Sequence, residues 1–283
     1  MSMEFKVSVV IPTLAGASLE KTILSLNSGT IIPTEILVVI PNDLHKSSLN
    51  FPFQNIKIIN SISKGQVNQR AEGLKKASSD LVLQIDDDIV LAKDTLELMI
   101  KKLIKLGPGN VIGPTFFDPF TKETLHKFNK GLLGLLKSIN ASVFSAAPWG
   151  LSRMGKITRI GLSYGVDFDY IKESVYEVEW LPGGCVLSHK QDLILDSFYP
   201  FSGKAFSEDV IHSILRSSNN INHYVKSSAF VETAVEENVF LWKDFKSEFK
   251  ARQYIVKMIN GSIFRLYIWA ITQILIRKIF WKK

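Results

Sequence analysis

The chain of 283 residues contains a single cysteine, Cys185. Internal disulfides are therefore excluded, and the composition fits a reducing compartment. Long apolar runs are missing too. In the C-terminal stretch the longest uncharged run is Leu266 to Ile276, eleven residues, whereas a spanning helix needs about 20. The N-terminus, Met1-Ser2-Met3-Glu4-Phe5-Lys6, lacks the charged lead and apolar core of a signal peptide. Internal repeats and low-complexity segments are absent. Acids are scarce at one end: residues 241–283 hold two, against ten Lys or Arg, while the whole chain carries a net +7. The rest of the chain is thus close to neutral, and the basic charge belongs to the tail. No nucleic-acid partner is expected, because that charge sits in an apolar segment without a binding motif.

What is present is a globular composition, 46% hydrophobic and 22% charged, long enough for one large domain or two small ones. The chain is organised around Ser78-Ser79-Asp80-Leu81-Val82-Leu83-Gln84-Ile85-Asp86-Asp87-Asp88-Ile89. An apolar run of strand length ends in three adjacent carboxylates. Such acids repel one another, and a divalent cation is a common reason for grouping them; hard oxygen ligands suit Mg²⁺ or Mn²⁺ holding substrate phosphates. An exposed turn that caps the next helix would explain them equally well.

Further strands are expected at Phe5 to Ile11, stopped by Pro12, at 36–40, at 56–59 and at 111–113. Helices are expected from Ser18 to about Leu26, over 66–76, and from Asp94 to Gly107-Pro108-Gly109 with Glu97 completing a capping box. Short strands alternating with helices predict an α/β fold with a mostly parallel sheet covered on both faces. Ligands then bind beyond the carboxyl ends of the strands, where Thr13, Asn42-Asp43 and the Asp triplet lie. Val175 to Trp180 reads as a strand that Cys185-Val186-Leu187 resumes after Leu181-Pro182-Gly183-Gly184. Ser207 is placed to cap a helix with Glu208 and Asp209 in its first turn, and 224–225 and 229–231 read as two short strands. Residues 114–174 remain open: a mobile flap, an acceptor-side insertion, a membrane-facing surface or an irregular excursion packed on the core.

The order of motifs resembles the family 2 glycosyltransferases with their GT-A fold, over roughly residues 5–235. Val7-Ser8-Val9-Val10-Ile11-Pro12-Thr13 is similar to the first strand and nucleotide loop. Arg70-Ala71-Glu72-Gly73 is similar to the Arg-Asn-x-Gly helix, and Asp86-Asp87-Asp88 to the DxD motif. Trp180-Leu181-Pro182-Gly183-Gly184 is similar to the acceptor-side glycine turn, and Glu208-Asp209 to the motif that carries the base.

The resemblance implies inverting transfer of a sugar from a nucleoside-diphosphate sugar to a hydroxyl of a glycan or lipid-linked acceptor, with Mn²⁺ or Mg²⁺. It implies Asp209 as catalytic base supported by Glu208. Pro12, Thr13, Arg70, Asp86 and Asp87 would bind the donor, Asp86 through the ribose hydroxyls. Trp180, Gly183 and Gly184 would lie on the acceptor side. Asp88, with Asp86, would hold the metal. Where the family carries a carboxylate after the second strand that contacts the base, this chain has Asn42 and Asp43, which would bind the donor in its place. Where many members place a metal-binding His after the last strand, Glu232 stands as an oxygen donor.

The expected division is a catalytic domain over 1–240, with a nucleotide-sugar half to about 115 and an acceptor half from 116, followed by a basic, amphipathic helical tail over 241–283. Within it, residues 263–283 place Phe264, Ile268, Ile271, Leu275 and Ile279 at helical spacing, with Trp269, Trp281 and basic residues among them. This suits an interfacial helix on an anionic membrane, and so a protein held peripherally on the inner, cytoplasmic face of the cell membrane. A helix docked on the domain or in an oligomer is the competing reading. Two other functions stay open: a catalytically silent nucleotide-sugar-binding scaffold, and a sugar nucleotidyltransferase. The latter normally has a Gly-rich basic phosphate loop that Leu14-Ala15-Gly16-Ala17 does not supply.

Overall fold

A computed structural model describes residues 5–44, 49–234 and 241–280. The readings of Met1–Glu4 and Trp281, and the side chain of Ile279, lie outside the described residues. Nine strands form one sheet in the order β3-β2-β1-β4-β8-β6-β9-β5, with β7 also paired to β9. They are β1 (Val7–Pro12), β2 (Glu35–Pro41), β3 (Ile56–Ser61), β4 (Leu81–Ile85), β5 (Val90–Leu91), β6 (Asn110–Phe117), β7 (Val175–Val178), β8 (Cys185–His189) and β9 (Asn222–Glu232). The helices are α1 (Leu19–Asn27), α2 (Gln66–Lys76), α3 (Thr95–Leu106), α4 (Gly131–Ser145), α5 (Glu208–Ser218), α6 (Trp242–Met258) and α7 (Ile263–Phe280).

β1, β2, β3, β4, β6 and β9 run in one direction; β5, β7 and β8 run against them. The mostly parallel α/β sheet is thus as expected. β1, β2 and β4 are buried along their whole length, as apolar strands covered on both faces must be. Alternate residues feed opposite layers: Val9 and Ile11 pack with Leu19, Ile23 and Met99, while Val10 packs with Val39 and Leu74 of the α2 layer.

Several local expectations are corrected. β7 and β8 are separate strands: β8 enters between β4 and β6, while β7 lies beyond them on β9. The intervening turn therefore crosses the sheet. Residues 222–232 form one long strand, with a register shift opposite Pro114 and Thr115, instead of two short ones. The Asp94–Glu97 capping box does not form. Asp94 makes no side-chain cap bond, and Glu97 accepts from Lys101 one turn on. Ser18 and Ser207 occupy the cap positions but make no side-chain cap bond. β5 and α4 were not anticipated.

The C-terminal helices dock on the second half of the chain. Ile255 of α6 is fully buried with Trp180, Val210 and Ile211, and Arg252 donates to the Gly161 carbonyl at 2.9 Å. Leu266 of α7 is fully buried with Ile160 and Val256. α7 also packs against α4.

Candidate functional site

The carboxyl ends of β4, β6 and β9, the turn from Trp180 to Gly184 and the N-terminus of α5 surround a cleft of about 460 Å³. Its lining includes Asp86, Asp88, Trp180, Gly183, Asp209 and Thr233. β4 ends at Ile85, so the next three residues leave the sheet together; Asp88 is exposed, and Asp86 and Asp87 are half-buried. Each carboxylate meets a different neighbour. Asp87 accepts from the Thr13 hydroxyl, which itself accepts from the Ala15 amide at 2.8 Å, so the loop after β1 is tied to the end of β4. Asp86 Oδ1 accepts from Gln66 at 2.8 Å and from Arg70 at 3.0 Å. Asp88 faces the cleft as well. Burial, then the charges of Asp86 and Asp87, hold its carboxyl above the usual range, and a hydrogen bond with Thr233 works against them. Burial and Asp86 likewise raise Asp87.

Arg70, expected beside the donor, is 1% exposed and lies beneath the cleft. Its guanidinium donates to Asp86 and, at 2.8 Å, to Glu208 Oε1. It therefore bridges the strand-end acids to the first turn of α5. Arg70 remains charged despite its burial, because Glu208 and Asp86 compensate it. Glu208 is itself buried, and its second oxygen has no partner. Next to it Asp209 is partly open to the cleft and accepts from the Val210 amide at 2.8 Å. Burial and the Glu208 charge push Asp209 up to about 7. A carboxyl that titrates near neutrality is equipped to accept a proton.

The glycine turn owes its composition to these acids. A Cβ on Gly183 would stand 2.8 Å from Glu208 Oε1, and one on Gly184 would stand 2.8 Å from Ile89 and 3.2 Å from Asp86 Oδ2. The turn is fixed from below: Gln84 donates to the Gly183 carbonyl at 2.7 Å and accepts from the buried Arg216 at 3.1 Å. Trp180 is buried and donates to the Tyr164 carbonyl at 2.9 Å.

Not every expected residue joins the cleft. Pro12 and Thr13 are buried at the end of β1, outside the cleft lining. Asn42 and Asp43 are exposed in the loop after β2, and Asp43 lies 3.6 Å from Lys64. Glu232 turns to the other side of β9, where it pairs with Lys122 at 2.7 Å; strand alternation puts Thr233 on the Asp88 side instead. Among the described residues no group of three His, Cys, Asp or Glu is arranged to hold a metal ion. Sequence reasoning missed Gln66, Gln84, Arg216, Thr233 and His126. Only Thr233 carried a signal, the parity of β9. His126 lines the cleft beside Trp180, at 6.0 Å between ring centres, and burial lowers its pKa.

Residues 8–130 match the sequence model described as Glycosyl transferase family 2. That match covers less than half of the chain. No curated protein matches the chain in sequence. Among solved structures, GalNAc-T7 with UDP, GalNAc and Mn2+ superposes with a TM-score of 0.59 at 15% identity, over 82% of this chain and 44% of that one. TarS 1-349 from S. aureus superposes with a TM-score of 0.53 at 15% identity, over 93% of this chain and 68% of that one. TarS 1-349 in complex with UDP-GlcNAc gives 0.53 at 16% identity, over 93% and 69%. These likenesses show a GT-A type fold. The chain spans less than half the length of the GalNAc-T7 chain it matches. The matched region 8–130 contains the Asp triplet and Arg70, whereas Glu208 and Asp209 lie beyond it.

Proposed function

We propose that this protein transfers a sugar, with inversion, from a nucleoside-diphosphate sugar to a hydroxyl of a glycan or lipid-linked acceptor. One observation carries the reading. Arg70 joins Asp86, at the end of the strand that delivers the acid triplet, to Glu208 beside the proton-accepting Asp209. The two halves of a transfer site, one for a phosphate leaving group and one for a nucleophile, are thus held at fixed separation. The family 2 domain and the UDP and UDP-GlcNAc named for the structural neighbours agree with it.

The residues also fit a divalent cation completed by substrate. Asp88 is exposed, has excess negative charge around it and has the Thr233 hydroxyl at hand. Mg²⁺ and Mn²⁺ take one or two carboxylates, water and substrate phosphates and need no all-protein cage, and the GalNAc-T7 structure was solved with Mn2+. Asp88 and Thr233 would hold such an ion, with Asp86 adjoining. When bound it supplies charge neutralisation on the diphosphate. Asp209 takes the proton from the acceptor hydroxyl as its oxygen bonds to the anomeric carbon. The bond from that carbon to the diphosphate oxygen breaks on the opposite face, and the nucleoside diphosphate leaves with the electron pair. Glu208 supports Asp209, and the buried Arg70 holds Glu208 in place.

The same proposal includes residues 263–283, of which α7 is the described part, as the segment that holds the protein peripherally on the inner face of the cell membrane. No described helix is long and apolar enough to cross a membrane. The test of the transferase reading is Asp209→Asn assayed against a panel of nucleotide sugars with Mn²⁺. Donor binding should persist while turnover, including slow donor hydrolysis, falls at least about 10²-fold. Turnover within a few-fold of wild type would remove Asp209 from the role.

A further inference from the structure

Many of the exposed apolar side chains gather on two helices. On α4 the exposed ones are Leu132, Leu135, Ile139 and Val143; on α7 they include Phe264, Tyr267, Ile271 and Leu275. Both sets follow the same spacing, i, i+3, i+7, i+11, which places each on one narrow stripe of its helix. The two helices pack against one another. Just after α4, Trp149 and Leu151 add further exposed apolar surface. Single exposed hydrophobics need no explanation, but a patch of this extent on neighbouring helices marks an interaction surface.

The charge says what kind. Residues 124–166, which contain α4, include six Lys or Arg and no Asp or Glu; residues 249–283, which contain α7, include eight and none. Lys137 and Arg265, one on each helix, are exposed. A second copy of this chain would bring like charge against like charge. An anionic lipid surface complements both the charge and the apolar stripes. We infer that α4 and α7 together form a two-helix surface that docks on anionic membrane, so that α4, within the acceptor half, is as much a part of the attachment as the C-terminal helix. This rests on the membrane reading above and extends it to a second element. Trp149 takes the position of an interfacial aromatic.

The experiment is co-sedimentation of the full chain with vesicles of phosphatidylcholine alone or with added phosphatidylglycerol. The wild type should sediment with the anionic vesicles. The paired variants Leu135→Gln with Ile139→Gln, and Phe264→Gln with Ile271→Gln, should each bind at least about tenfold more weakly, since two apolar side chains leave the contact in each. Lys137→Glu with Arg265→Glu should erase the preference for anionic lipid. All six positions are exposed, so the fold is preserved, and circular dichroism verifies it. Wild-type binding by the α4 pair overturns the inference, as does a wild type that stays in the supernatant. A vesicle-free dimer that the same variants convert to monomer also overturns it, in favour of a second copy. Donor hydrolysis in vesicle-free buffer separates this from the transferase reading: its absence in every form would sink that reading alone, while lipid binding lost only in the variants would still support the surface.

Discussion

At the scale of single residues, the decisive feature is a pair of adjacent acids with opposite assignments. Glu208 is paired with Arg70, whereas burial and the Glu208 charge push Asp209 up to about 7 against the weaker pull of Arg70. The sign of the pH effects follows. As the proposed base, Asp209 must be ionised to accept a proton, so turnover with donor bound should rise with pH through a limb near 7. Glu208→Gln removes the second cause of the elevation, so that limb should move to lower pH; an unmoved or higher limb would contradict the assignment. The same shift affects stability. Asp209 has a folded pKa above its unfolded value, so its favourable contribution is complete below about 4 and disappears as pH rises through 7. Asp209→Asn should therefore melt higher than wild type at pH 8, by at least about 1 kcal/mol, and show little difference at pH 4. Much of this site was readable from sequence because acids that end an apolar run or open a helix announce themselves. Arg70 was readable as a motif but not as a buried bridge, since its partner Glu208 lies 138 positions away. Gln84 and Arg216 were hidden because polar residues within apolar elements carry no label for what they support.

At the scale of elements, α2 shows how close packing places chemistry. Its Gly73 allows the helix to press onto the sheet: a Cβ there would stand 2.5 Å from Val10 Cγ1 and 2.7 Å from Val39 Cγ2. That approach lets Gln69 donate to the carbonyls of Thr13 and Val39 at 2.8 and 2.7 Å, and lets Arg70 reach the strand ends. Glu72 faces the other way and accepts from Ser61 at 2.9 Å. The Arg70-Ala71-Glu72-Gly73 motif is thus a stretch of helix seated on two strands, with Arg70, Glu72 and Gly73 each placed by that seat. Gly73→Ala should cost about 1–3 kcal/mol by overpacking and, by lifting Arg70, should lower turnover more than donor binding. Denaturant melts paired with donor titrations measure both; an alanine variant as stable as wild type would show that α2 has room. The sheet strands were legible because buried parallel strands are continuous apolar runs. α4 was not, because its two glycines and its apolar exposed stripe contradict the pattern of a helix facing water. β7 and β8 were merged because nothing local reveals that the chain crosses the sheet between them.

At the scale of the molecule, the C-terminal helices serve two faces at once. The sequence suggested a tail beginning near 241, and the basic charge is indeed concentrated there. Yet α6 closes the second half of the chain through Ile255, and α7 inserts Leu266 between Ile160 and Val256, with Arg252 over the Trp269 ring at 5.1 Å. The apolar residues of α7 are thus divided. Leu266 and Ala270 face inward, while Phe264, Ile271 and Leu275 face out. Periodicity showed an amphipathic helix but could not say that both faces are apolar for different reasons. The consequence is that removing α7 confounds attachment with folding, and point substitutions separate them. Leu266→Ala should cost about 2–4 kcal/mol, the range for a leucine deleted from a packed core. Ile271→Gln, on the outward face, should change stability by no more than about 0.5 kcal/mol. Equilibrium urea unfolding of the two variants provides the comparison. Equal losses would mean that α7 is buried on both faces in solution, whereas a stable Leu266→Ala would mean that the helix is not docked at all.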